Sequence, residues 1–183
     1  MIIAGKGFNT YLLFLFFLLF VTGCQSPERK ARQRLTVLDV HLESRDLPER
    51  QKIVSVYRER PFTISVQNEP FLTQNDVQEA RVIEVVGGFA IRLQFVQRGA
   101  RLLEQYSSGN PGKHLAIFSQ FVTPPKETLN EGRWLAAPRI NHRITDGVLV
   151  FTPDATREEA EQIVLGLNNV VRKLKKERWL PEN

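Results

Sequence analysis

The feature that most constrains this chain is an uninterrupted apolar run, Tyr11-Leu-Leu-Phe-Leu-Phe-Phe-Leu-Leu-Phe-Val21. A helix that crosses a bilayer needs about 20 apolar residues, so eleven are too few. Met1 with its free amine and Lys6 precede the run, and the small residues Thr22 and Gly23 follow it. That order reads as a secretory signal peptide over residues 1–23, which leaves the folded body to the rest of the chain. Composition then bounds that body. A charged fraction of 25% excludes a polytopic membrane protein, and 42% hydrophobic residues exclude a wholly disordered chain. A single cysteine excludes an intrachain disulfide framework and any cysteine-rich metal site.

That cysteine, Cys24, closes Val21-Thr22-Gly23-Cys24, which resembles the lipobox of bacterial lipoproteins. The resemblance implies lipidation at Cys24: a diacylglycerol on the thiol, cleavage before the cysteine, and acylation of the new amine. Each buried CH₂ contributes about 0.8 kcal/mol and stable anchoring takes more than one chain, a condition that triacylation meets. The competing reading is a free thiol at the end of a short membrane anchor. Gln25 and Ser26, rather than Asp, follow the cysteine, as in outer-membrane rather than inner-membrane lipoproteins. The expected location is therefore the bacterial cell envelope, facing the periplasm, with the membrane as the first partner. Residues 24–34 lack apolar periodicity and read as a flexible tether; at about 5–6 Å × √n, ten residues reach roughly 17 Å. Its Arg29, Lys30, Arg32 and Arg34 could touch anionic lipid or simply be solvated. An exported chain meets no nucleic acid.

Beyond Arg34 the apolar pattern changes to period two. Leu38, Val40 and Leu42 alternate with Asp39, His41 and Glu43, which predicts a strand with one wet face. Ile53 to Tyr57 and Phe62 to Gln67 predict two more strands. Thr73 with Asp76 forms a capping box for a short helical turn. Ala80–Val86 and Phe89–Phe95, joined at Gly87-Gly88, form the clearest hairpin. Gln97–Tyr106 has helical spacing, and Leu115–Val122 reads as a central strand buried on both faces. Thr123–Gly132 is a polar loop. Arg133–Ile144 and Val148–Phe151 are extended candidates, with a turn at Asp146-Gly147. Thr156 and Glu159 cap a last amphipathic helix whose stripe runs Ala160, Ile163, Val164, Leu167, Val170, Val171 and Leu174. Arg172, Lys173, Lys175 and Lys176 then crowd its negative end. The predicted class is α+β, an antiparallel sheet with two main helices packed on one face, in a single domain over 35–176 with a tail at 177–183.

Residues 71–171 resemble the head subdomain in the large periplasmic domain of the protein-export subunit SecD. The resemblance is carried by Phe71-Leu-Thr73 with Asp76-Val77 and Ala80-Arg81, then by Ile91-Arg-Leu-Gln-Phe95 and Gly99-Ala100-Arg101. It continues through Gly112-Lys113-His114-Leu115-Ala116-Ile117, Ala136-Ala137-Pro138-Arg139-Ile140 and Thr156-Arg-Glu-Glu-Ala160, in the family's order. It implies a head-like module of the kind thought to contact an emerging polypeptide. Where the family has a tight Asp-Gly turn, this chain has the longer loop from Thr123 to Gly132. SecD couples proton flow to pulling through charged residues in transmembrane helices, which this sequence does not contain, so motor activity is not carried over.

The residues give little sign of catalysis. His41, His114 and His142 are far apart, and no H-E-x-x-H occurs. Gln105 stands where a nucleophile elbow at Ser107 needs its first glycine. Gly112-Lys113 lacks the upstream Gly and the downstream Ser/Thr of a phosphate loop. Glu158, Glu159 and Glu161 suit the positive end of a helix. Neither a catalytic residue, a cofactor nor a metal ligand is expected. A module that binds a polypeptide or envelope protein is the first expectation, by strand addition at a sheet edge. An assembly component of the envelope is the second, and a hydrolase with an unrecognised site the third.

Overall fold

The chain is seen in a computed structural model that describes residues 31, 34–44, 48–121 and 132–179. The signal peptide, Cys24, nearly all of the tether, the polar loop up to Glu131 and residues 180–183 lie outside the described residues. Residues 32–183 cluster as one compact unit. In chain order its strands are β1 (Val37–Leu42), β2 (Gln51–Val56), β3 (Phe62–Gln67), β4 (Leu72–Thr73), β5 (Val77–Val85) and β6 (Gly88–Phe95). Helix α1 (Gln97–Gly109) follows, then β7 (Leu115–Gln120), β8 (Arg133–Ala136), β9 (Val148–Phe151) and helix α2 (Arg157–Trp179). Every strand pairing is antiparallel and the class is α+β with two main helices. The strands divide among three sheets, ordered β4-β1-β7-β8, β2-β3 and β5-β6-β9.

Local signals explain several of these elements. The β5–β6 hairpin turns where Gly87 holds φ at 85°, a left-handed value that costs glycine little. At the start of α2 the Glu159 N–H donates to Thr156 Oγ1 at 3.2 Å, and the Thr156 N–H donates to Glu159 Oε2 at 2.9 Å. This reciprocal cap satisfies two otherwise orphan donors. The stripe Ala160, Ile163, Leu167 and Val171 is buried with Leu93 and Leu149 of the three-stranded sheet and Val40 and Ile117 of the four-stranded one. Each fully buried Leu or Ile there contributes about 1.5–3 kcal/mol. Helix α2 runs on to Trp179, past the expected boundary at 176, because Lys175, Lys176 and Glu177 favour helix and the next proline is Pro181.

One face of β1 departs from the sequence pattern. Asp39 and His41 were expected on a wet side of β1. Instead the β2–β3 hairpin packs there, burying Val54, Val56, Ile64 and Val66 against Ala116, Ala137 and Trp134. His41 is only 2% exposed, its ring edge-on to Trp134 at 5.2 Å, with Nδ1–H donating to the Gln67 carbonyl at 2.9 Å. Burial lowers its pKa from 6.5 to about 4, so the imidazole is neutral in the fold. Strand β7 lies between β1 and β8, in the central position its near-continuous apolar run predicts. Among the described residues no helix is long and apolar enough to cross a membrane.

Candidate polypeptide groove at a free strand edge

A sheet that ends in a strand leaves a row of backbone groups to be satisfied; this fold closes such rows at β8, β3 and β5 with specific contacts, while β2 keeps Ile53 74% exposed at its own edge. On β8, the Leu135 carbonyl accepts from the Asp154 N–H at 2.7 Å, and just beyond it the Ala137 N–H donates to Tyr57 Oη at 3.3 Å. On β3, the Ser65 carbonyl accepts from the Ser44 N–H at 2.9 Å. On β5, helix α2 supplies a substitute strand. Asn168 Oδ1 accepts from the Ala80 N–H at 3.0 Å, and Asn168 Nδ2 donates to the Ala80 carbonyl at 2.9 Å. Further along that edge Arg157 pairs with Glu84 at 2.7 Å.

Strand β9, the opposite edge of the same sheet, has no such cover. The Phe95 N–H donates to the Gly147 carbonyl at 3.0 Å, which makes Phe95 and Gly147 a hydrogen-bonded pair. Alternation along the ladder then points the N–H and C=O of Val148 and Val150 away from β6. Asp146 Oδ1 takes the Val148 N–H at 3.0 Å. Val150 is 45% exposed, and its outward backbone groups meet no partner among the described residues.

Beside this edge runs a groove of about 450 Å³ whose other wall is the segment 138–146. Leu115, Pro138, Ile140, Ile144 and Leu149 give it an apolar lining, with Arg139 and His142 among its polar groups. Its outer wall is pinned from several sides. The Gly112 N–H donates to the Ile140 carbonyl and the Ile140 N–H to the Lys113 carbonyl, both at 2.8 Å. Arg139 Nε–H donates to the Gly112 carbonyl at 2.9 Å, and the Ile144 N–H to Ser107 Oγ at 2.9 Å. Arg143 pairs with Glu104 of α1. A free strand edge offers main-chain bonds, and the adjoining cleft, lined by both apolar and polar groups, offers room for side chains, the two elements of recognition by strand addition.

The residues weighed for chemistry stay dispersed. His41 is sealed under the hairpin, His114 Nδ1 contacts Glu43 Oε2 at 2.8 Å, and His142 lies in the groove. Ser107 holds the groove wall, since its hydroxyl donates to the Glu104 carbonyl at 3.1 Å as well as accepting from Ile144. Gly112 and Lys113 likewise serve the wall. Glu159 caps α2 and meets Arg133 Nη2 at 2.6 Å; burial pushes its carboxyl up, but bonds from Arg133 and Thr156 outweigh this and hold it below the ordinary value. Among the described residues no group of three His, Cys, Asp or Glu is placed to hold a metal ion. The lipidation residue, Cys24, lies outside the described residues. The free edge of β9 was missed by the sequence reading; its signal was a short strand after Asp146-Gly147 with no later strand to pair with it.

Fold and groove together define an α+β module that presents a strand edge beside a shaped cleft. Its family follows from comparison: residues 50–169 match the family model "SecDF, P1 head subdomain", and the chain belongs to that family. The translocase subunit SecDF of Thermus thermophilus is 34% identical over 101 residues, covering 55% of this chain and 12% of that protein's length. A solved structure described as "Structure and function of a membrane component SecDF that enhances protein export" superposes with a TM-score of 0.53. It is 22% identical, covers 81% of this chain and 71% of that one, and shows the shared fold.

Proposed function

We propose that this head-family module serves protein export by holding an extended polypeptide segment along β9, as a binding rather than a catalytic component. The observation that supports this most is the outward N–H and C=O of Val150 beside the apolar groove. Main-chain bonds to such an edge are indifferent to sequence, while alternate side chains of the guest drop into the groove, which suits a chain that must meet many polypeptides. The relatives' part in translocation and export supports the same reading. In this proposal lipid on Cys24 keeps the module in the envelope, facing the periplasm.

Val150→Pro tests it, because proline deletes the outward donor and leaves the bonds to β6 intact. A photo-crosslinker at Asn141 in the groove wall should capture many exported chains in cells, and the proline variant should lose them. One fixed neighbour captured equally by both forms would instead make the module an assembly component. On anchoring, Cys24→Ser should release the protein from the membrane, and an intact mass that still begins at Met1 would refute lipidation.

A further inference from the structure

We propose that the C-terminal half of α2 faces the membrane and is held there by anionic lipid headgroups. Arg172, Lys173, Lys175 and Lys176 are all exposed. At 100° per residue they share an arc of about 160°, opposite the buried stripe. Among the described residues most cationic partners of carboxylates are arginines, as with Arg58 on Asp154, Arg133 on Glu159 and Arg157 on Glu84. No described carboxylate pairs with any of these four, as with Lys52 and Lys113 elsewhere, but here the four cations stand together on one helix; Arg172 donates to the neutral Asn169. Glu177 is the one acid among residues 172–177.

The helix dipole does not explain this concentration. Its influence falls off within the last turn, and with α2 ending at Trp179, Arg172, Lys173 and Lys175 stand before that turn. A second, independent observation fixes the direction of the patch. The chain reaches the folded body across the same helix: Asn169 Nδ2 donates to the Arg34 carbonyl at 2.7 Å, and Arg34 Nη1 donates to Gln162 Oε1 at 2.7 Å. Thr36 lies so close to Gly166 that a Cβ there would sit 2.0 Å from Thr36 Oγ1. Asn169 therefore touches both the incoming chain and Arg172, and Lys176 is about 10 Å further along the helix. Whether lipid on Cys24 or the run from Tyr11 to Val21 holds the chain, only nine to twelve residues separate that anchor from Arg34. So short a connection lets the patch reach the headgroups, and each cation that comes within a Debye length of them contributes roughly a fivefold gain in surface affinity.

The test is an amine-acylation footprint of the full-length protein, read by mass spectrometry, in vesicles of phosphatidylcholine alone and of phosphatidylcholine mixed with phosphatidylglycerol. On the anionic vesicles, acylation of Lys173, Lys175 and Lys176 should fall at least about threefold. It should recover near 1 M salt, where the Debye length is about 3 Å. Lys113, beside the groove wall, should react equally in both. Equal labelling of the α2 lysines on the two vesicle types, or equal protection of Lys113, would overturn the proposal.

Discussion

The two edges of the three-stranded sheet differ in what lies against them. Along β5 a helix buries its stripe beside the strand and extends one carboxamide to both backbone groups of Ala80. Along β9 the outward groups of Val150 lie instead beside a cleft of mixed apolar and polar lining. Both edges belong to one sheet, yet β9 is apolar throughout while only five of the nine β5 residues are, so the difference in cover is not a matter of masking the more apolar strand. It comes from Asn168, a side chain with one donor and one acceptor that can stand in for a peptide unit. An edge closed this way cannot recruit another chain, whereas a free one can.

Substitutions at the two edges should therefore have unequal costs. Ala80→Pro removes the donor to Asn168, leaves that carboxamide oxygen unpaired and crowds the helix against the strand, so the two costs together should come to about 3 kcal/mol or more in urea unfolding. Asn168→Leu, nearly the same size, leaves the N–H and C=O of Ala80 buried and unpaired. It should cost about 2 kcal/mol and speed hydrogen exchange at Ala80, and unchanged exchange there would contradict the substitute-strand account. A third cover, the β2–β3 hairpin over His41, can be probed with pH. The unfolded chain takes up this proton near 6.5 and the fold resists until about 4, so stability is complete above 6.5 and drains as pH falls between those values. The loss should be at most about 3 kcal/mol, and His41→Gln should flatten that slope. Asp39 beside it, raised by burial against the pull of Lys52, acts in the opposite sense at lower pH. Val150→Pro should have the smallest effect on stability, under about 1 kcal/mol, while abolishing capture of polypeptide.

How far these features could be read from sequence tracks the range of the interactions involved. The Thr73–Asp76 and Thr156–Glu159 caps, the Gly87 turn and the α2 stripe each depend on residues a few positions apart, and each stands in the structure as expected. The burial of His41 depends on a hairpin contributed by residues 51–67, and the closure of β5 on a side chain 88 positions from Ala80. Alternation in β1 is equally consistent with water or with a second layer on the polar face, and only the position of the hairpin decides. The groove was hidden for the same reason, since its walls join Leu115, Pro138–Ile144 and β9.

By itself the sequence determined the α+β class, the two helices, the main hairpin and the order of motifs that places the chain in the SecDF head family. Those follow from periodicity and local caps, which act within a few residues. The tertiary structure alone decided how the nine strands among the described residues divide into three sheets, which edges are closed, and where a cleft meets an unpaired strand. Backbone hydrogen bonds are blind to residue type, so which strand is left without a partner is settled only when the whole chain has packed.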